Sequence, residues 1–155
     1  MVGTMSLLPK RIPTKQSRFC WKLLLRNKML TLILPPDIAE KITKALYNGG
    51  HREVGGILMA EHVGTNRFEV KEITIQSRGA FAFFMRRLEE MLGRLRAFFE
   101  KTNHNYIRFN YIGEWHSHPS FEPEPSRQDD RSMRDILNDS RVGANFVVLL
   151  VVKLG

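Results

Sequence analysis

The stretch Gly113-Glu114-Trp115-His116-Ser117-His118-Pro119, followed by Ser126 and Asp129, decides how this 155-residue chain is read. It supplies two imidazoles and a carboxylate at a spacing that suits one Zn²⁺ ion. Three protein ligands leave one coordination position open, which a hydrolytic zinc site needs and a structural one lacks. His116 and His118 sit two apart in a run, Tyr106 to His118, that reads as a strand, so their side chains leave the same face. Their Cα atoms would lie about 6.6–7 Å apart at the usual strand rise. Read alone, H-x-H more often marks two strand histidines facing water or carboxylates than a metal site.

Asp129 follows a loop holding Pro119, Pro123 and Pro125, in the first turn of a helix expected over Ser126–Asn138. The positive end of the helix dipole favours an ionised carboxylate there, and a metal ligand must be ionised. Ser126-x-x-Asp129 equally matches a capping box with aspartate in place of glutamate. Local grounds leave cap and ligand side by side, and Ser126 can both close the helix start and donate a hydrogen bond toward a reaction centre. A hydrolytic site also needs a carboxylate near the metal but not bound to it, to move a proton. Glu53, Glu61 and Glu114 compete for that role. Glu114 shares the face of His116 one pleat away. Glu53 opens a strand whose Gly55-Gly56 permits close backbone approach.

Working outward, the elements alternate. Residues 1–17 read as a tail, and Arg18–Leu25 and Met29–Leu34 as strands around a turn at Arg26-Asn27-Lys28. Pro35-Pro36-Asp37 starts a helix with Ile38, Ile42, Ala45 and Leu46 on its apolar face. Glu53–Glu61 and Asn66–Gln76 read as strands. Phe83–Lys101 reads as an amphipathic helix with Phe84, Leu88, Met91, Leu92, Leu95 and Phe99 as its stripe. Asn145–Lys153 reads as a buried strand. Strands alternating with helices predict an α/β fold, a mixed β-sheet sandwiched by helices.

Hydrophobic residues make up 43% of the chain and charged residues 26%, which fits a globular domain with a real core. Cys20 is the single cysteine, so no internal disulfide forms, and a reducing cytoplasm is the expected compartment. The net charge of +8 is uneven: residues 1–30 hold seven Lys/Arg and no Asp or Glu, leaving 17 basic against 16 acidic residues elsewhere. The chain therefore divides into a basic N-terminal arm with the first strand, 1–28, and a domain over 29–155. No nucleic-acid motif accompanies the charge, so the arm reads as a solvated tail rather than a nucleic-acid interface. Lys22, Arg26 and Lys28 break the apolar run that a signal peptide would need. No apolar run approaches the ~20 residues that span a bilayer.

Taken together, Glu53-Val54-Gly55-Gly56-Ile57-Leu58, the segment Gly113–Pro119 and Ser126-x-x-Asp129 resemble the JAB1/MPN/Mov34 (JAMM) metalloprotease signature, over about residues 30–155. That signature is a Glu ahead of a Gly-rich strand, then H-[ST]-H-P, seven residues after the second His, a Ser, two residues and an Asp. The resemblance implies the MPN/JAB fold, which is cytidine-deaminase-like. It makes Glu53 the general base, His116, His118 and Asp129 the zinc ligands, and Ser126 the group that stabilises the tetrahedral intermediate. It implies hydrolysis after the C-terminus of a ubiquitin-like or conjugated protein, with activating and conjugating enzymes as partners. The size resembles bacterial stand-alone members, including deconjugating proteases of anti-phage (CBASS) operons. Other branches trim sulfur-carrier proteins, are RadC-like, with Asn where Ser117 stands, or serve as non-catalytic MPN scaffolds that lack the ligand set. Family members usually continue beyond the equivalent of the strand that precedes Gly155, so the chain is expected to be a shortened form or to take the missing edge from a partner.

Overall fold

Pro35 and Pro36 stop one strand and open the first helix, α1 (Pro36–Gly49), with Asp37 in its first turn. Ile38, Ile42, Ala45 and Leu46 recur at helical spacing and are buried, as the sequence predicts. They press on a sheet whose strands are β1 (Met5–Leu7), β2 (Ser17–Leu24), β3 (Leu30–Ile33), β4 (Val54–Gly64), β5 (Arg67–Ile73), β6 (Gln76–Ser77), β7 (Phe109–Ser117) and β8 (Val147–Leu154). Helices α2 (Phe81–Lys101) and α3 (Arg127–Asn138) complete the chain. The structure is a computed structural model that describes residues 5–7, 17–24, 30–77, 81–140 and 144–155, with the backbone alone for 5–7, 17–24, 77 and 81–89.

The sheet is mixed, in the order β1-β3-β5-β4-β7-β8-β2, with β6 pairing β4 beyond the end of β5. β3 runs parallel to β5 and β7 parallel to β8, while β4 is antiparallel to both β5 and β7. One face meets α1: Leu32, Leu58, Ala60, Val70, Trp115, Val148, Leu150 and Val152 pack with Ile38, Ile42 and Leu46. The other face meets two helices. Phe98 of α2 covers Ile57 and Met59, and Met133 of α3 covers Val147, Leu149 and Val151. β8 is therefore buried on both faces, which its unbroken apolar run requires. Each such side chain contributes about 1.5–3 kcal/mol of burial.

Several details differ from the sequence reading. The apolar stripe of α2 runs through Met91, Leu95 and Phe98, and Leu92 is exposed. Met91, Leu95 and Phe98 follow a 4,3 step that keeps one face toward the sheet, whereas Leu92 falls on its flank. Phe84 and Leu88 lie where side chains are not described, and the turn at 26–28 lies outside the described residues. The tail holds a short strand, β1, parallel to β3. The expected strand 66–76 is interrupted at Thr74, whose Oγ1 accepts from the Ile57 N–H at 3.0 Å and whose carbonyl accepts from the Trp115 indole at 2.9 Å. The edge of β8 needs no outside element, because β2 pairs with it antiparallel over Ser17–Leu24.

Two constraints position the site. At Gly113 the backbone has φ +152°, and a β-carbon there would lie 1.9 Å from the Val148 carbonyl oxygen. The β4–β7 register slips beside it. This bulge re-aims every later side chain of β7: Ile112 and Trp115, an odd number apart, both reach the α1 core. At the far end of β4, Glu61 stands opposite Glu69, a repulsive pair that Lys71 bridges at 2.9 and 2.8 Å. Arg108 Nε also donates to Glu61 at 2.7 Å. The Lys71 hydrogen bond, against the opposing effect of burial and aided by Arg108, holds the Glu61 carboxyl below its ordinary value.

Two outcomes follow in unfolding experiments. Gly113→Ala is expected to lower stability by about 3 kcal/mol or more, since side chain and backbone both clash. Because the folded Glu61 pKa is depressed, its contribution is present above the ordinary value of 4.5 and is lost as pH falls through the folded value. Glu61→Gln should cost about 1–3 kcal/mol at pH 7, with the deficit shrinking below pH 4.5. An unchanged deficit at low pH would exclude this assignment.

Candidate metal centre

β7 delivers the two histidines. His116 pairs with Gly55 of β4 on one side and Val151 of β8 on the other, so its ring emerges on the α3 face. A β-carbon on Gly55 would meet the His116 Cβ at 2.9 Å and the Trp115 carbonyl at 2.5 Å. Only a residue without one lets β4 approach the histidine strand this closely. His118 lies just past the strand, its N–H donating to the Val152 carbonyl at 2.9 Å.

The side chains converge. The Nε2 atoms of His116 and His118 are 3.1 Å apart, and Asp129 Oδ2 is 3.5 Å from His116 Nε2. One donor atom from each of the three residues fits within a mutual 4.8 Å, and all three residues are buried. His118 Nδ1 lies 3.0 Å from the Glu122 carbonyl, which can only accept, so Nδ1 carries the proton. That leaves the Nε2 lone pair of the neutral ring pointing at His116. Orientation of a ligand imidazole by a carbonyl is the usual outer-shell arrangement of metal sites. Two ring nitrogens and a carboxylate oxygen facing one another in a buried space repel unless a proton or a cation lies among them. The trio can hold a metal ion.

Asp129 is both cap and candidate ligand. Ser126 is the N-cap of α3, its Oγ accepting from the Asp129 N–H at 3.1 Å. The Ser126 N–H and O–H both donate to Asp129 Oδ2, at 2.8 and 2.7 Å. The oxygen that closes the box is the one nearest His116, so the capping bonds orient the carboxylate toward the histidines. The Ser126 hydroxyl proton is committed to Asp129 in this structure, and any use of it on a substrate requires rotation about its C–O bond.

Register separates the three carboxylates that the sequence leaves in competition. Glu61 pairs with Phe109, six residues along β4 from the Gly55–His116 pair, about 20 Å at strand rise, and it is engaged by Lys71 and Arg108. Glu114 stands opposite Ile57, on the histidine face but one pleat away. It lies beside Tyr111, whose phenol is pushed up by burial and further by the Glu114 charge. Glu53 precedes β4, and continuing the Gly55–His116 pairing by two residues sets it opposite His118 on the same face. Ser117, which the sequence reading left without a role, fixes this alignment: its Oγ accepts from the Val54 N–H at 2.9 Å. The only sequence signal for it is the hydroxyl residue between the two histidines. The Glu122 carbonyl has none, being backbone.

Residues 35–154 match the family of prokaryotic homologs of the JAB domain. A curated relative, the CD-NTase/cGAS isopeptidase of Enterobacter hormaechei subsp. hoffmannii (strain UCI 50), is 29% identical over 116 residues. That match covers 72% of this chain and 61% of the relative, so the chain spans about three fifths of that protein's length. The solution structure of protein DSY2949 from Desulfitobacterium hafniense is similar at 20% identity and a TM-score of 0.45, covering 64% of this chain and 65% of the other. Among the described residues, no helix is long and apolar enough to cross a membrane.

The dual use of Asp129 is testable. Ser126→Ala is expected to lower stability by about 1 kcal/mol through loss of the cap and to weaken metal binding about 10-fold or more by freeing the carboxylate to turn. Unfolding with and without metal, together with a competitive chelator titration, separates the two effects. Unaltered metal affinity would show that the cap does not orient the ligand.

Proposed function

The chain belongs to the prokaryotic JAB-domain family, and on that premise we propose that it is a zinc-dependent isopeptidase that cleaves after the C-terminus of a ubiquitin-like protein conjugated to a target. The observation that carries this reading is the buried His116–His118–Asp129 group, with Gly55, two residues after Glu53, paired to His116. Ligands 2.0–2.1 Å from a tetrahedral zinc lie about 3.3 Å from one another. The two separations from His116, 3.1 and 3.5 Å, bracket that value, and all three donor atoms lie within 4.8 Å of one another. Two imidazoles and one carboxylate, none of them a thiolate, match the ligand types of catalytic zinc.

When bound, zinc supplies Lewis acidity toward a carbonyl and lowers the pKa of a water from ~15.7 toward ~7. The remaining roles belong to the chain. Glu53 accepts a proton from the attacking water and returns it to the departing nitrogen. The Ser126 hydroxyl, once rotated from Asp129, donates to the oxygen that gains charge as the amide carbon becomes tetrahedral. Burial of the histidines and Asp129 excludes bulk water and strengthens these interactions.

The substrate tail has a path. β3 pairs only with Arg67–Glu69 of β5, so among the described residues the outer edge of Val70–Ser77 carries no strand. A cavity of about 530 Å³ runs beside it, lined by Lys71 to Gln76. An extended tail can add there by backbone pairing, and glycines suit it because they need no side-chain space. Ser77 pairs with Val54, so the edge leads to the start of β4, next to Glu53. The relative's name, CD-NTase/cGAS isopeptidase, favours a CD-NTase-type conjugate as the target; the role in this proposal is reversal of conjugation in anti-phage defence, with activating and conjugating enzymes as partners. The basic arm, 1–28, flanks the catalytic core in this proposal and contributes β1 and β2 to its sheet.

Purified chain should contain one zinc per molecule by elemental analysis, and chelation should abolish hydrolysis. Glu53→Gln is expected to retain the zinc and to lower kcat about 10²–10⁴-fold, with KM little changed. A variant as fast as the parent would rule Glu53 out as the base.

A further inference from the structure

Glu53 lies between Arg52 and Val54, and alternation sends these neighbours to the side of β4 opposite the metal centre. Val54 packs in the α1 core, whereas the register sets Glu53 on the histidine face. A groove of about 370 Å³ opens on the α1 side, between the second half of α1 and the β5–β6 junction. It is lined by apolar Ala45, Val54 and Ile75, of which Ile75 is 49% exposed. Among the described residues its charged lining is cationic, from Lys41, Lys44 and Arg52, with the Asn48 amide beside them. Lys41 reaches Asp37 at 3.7 Å, an exposed i,i+4 pair worth little. Among the described residues, Lys44 and Arg52 have no ion-pair partner. Neither lies in the last turn of α1, so they are not there to offset its dipole.

The two properties together narrow the ligand. A free phosphate would use the Lys and Arg donors and leave the apolar Ala45, Val54 and Ile75 unused. An acidic polymer would use the cations and leave the exposed Ile75 unused. A protein surface that presents an apolar side chain flanked by carboxylates uses both, burying Ile75 while pairing Lys44 and Arg52. We propose that this groove docks the folded body of the ubiquitin-like modifier through an apolar residue flanked by Asp or Glu. The inference rests on the isopeptidase reading. It adds the chemistry of the modifier's recognised surface. Ile75 belongs to the groove and also to the open edge that the tail follows. A modifier seated in the groove thus feeds its C-terminus along Ile75–Ser77 toward the metal face.

The test uses the zinc-loaded full chain and two fluorescein-labelled peptides, one with a leucine between glutamates and one with the same leucine between lysines. Each ends in Gly-Gly joined to the ε-amine of a lysine. In anisotropy titrations the glutamate probe should bind at least tenfold tighter than the lysine probe, with affinity falling as salt rises. The double variant Lys44→Glu, Arg52→Glu should lose that preference or invert it, with zinc content and thermal midpoint unchanged. Ile75→Asp should weaken the glutamate probe as well, which a general attraction of basic protein for acidic peptide would not require. Equal affinity for the two probes, or a double variant that binds like the parent, overturns the proposal. Binding with the expected preference but no cleavage would retain the groove and reject the isopeptidase reading. Cleavage of both probes with equal kcat/KM would do the reverse.

Discussion

The antiparallel register of β4 on β7 is the constraint on which the site depends. Gly55 opposite His116 brings two backbones close enough that any side chain would part them, and the Ser117 hydroxyl locks the pairing by accepting from Val54. Side-chain period in a strand is two, so a slip by one residue would carry Glu53 to the α1 side and Val54 to the histidine side. The bulge at Gly113 adds a second setting of parity. It lets Ile112 and Trp115 both fill the α1 core while His116 turns to the other face.

The electrostatics of the site are arranged around a carboxylate that is costly to bury. Asp129 is 6% exposed, and an ionised group so placed needs hydrogen bonds or opposite charge. It has two donors from Ser126 and the positive end of α3. These stabilise the anion and aim one oxygen at the histidines before any ion arrives. The His118 ring is similarly fixed by the Glu122 carbonyl in the loop that precedes α3. Preorganisation of this kind lowers the cost of binding, because ligands are already oriented.

Much of this was legible in the sequence because the relevant information is local. The proline pair gave the start of α1, the apolar run in Asn145–Lys153 gave a buried strand, and H-S-H with the spaced Ser and Asp, read with the family resemblance, gave the trio. The choice among Glu53, Glu61 and Glu114 was not legible from chemistry alone. It depends on which residues of two distant strands face each other, and pairing between residues about sixty positions apart leaves no local mark. For the same reason β2 and β3, expected around one turn, join opposite sides of the sheet, β2 on β8 and β3 on β5. Of the expected α2 stripe, Met91, Leu95 and Phe99 pack as read, whereas Leu92 is exposed and Phe98, left out of it, is the buried residue, because adjacent apolar residues at 91–92 and 98–99 are told apart only by packing on Ile57 and Met59.

The pairing of β2 with β8 has a bearing on biosynthesis. Residues 17–24 wait for residues 147–154 before they have a neighbour, and the same late segment supplies the Val151 and Val152 backbone that flanks His116 and His118. Closing so long a loop carries a large entropic cost that is repaid only when both faces of β8 are covered. On the ribosome, Glu53 and both histidines emerge well before residue 147. A nascent chain therefore exposes the two histidines on an unfinished sheet until β8 emerges, when β8 pairs with β7 on one side and β2 on the other.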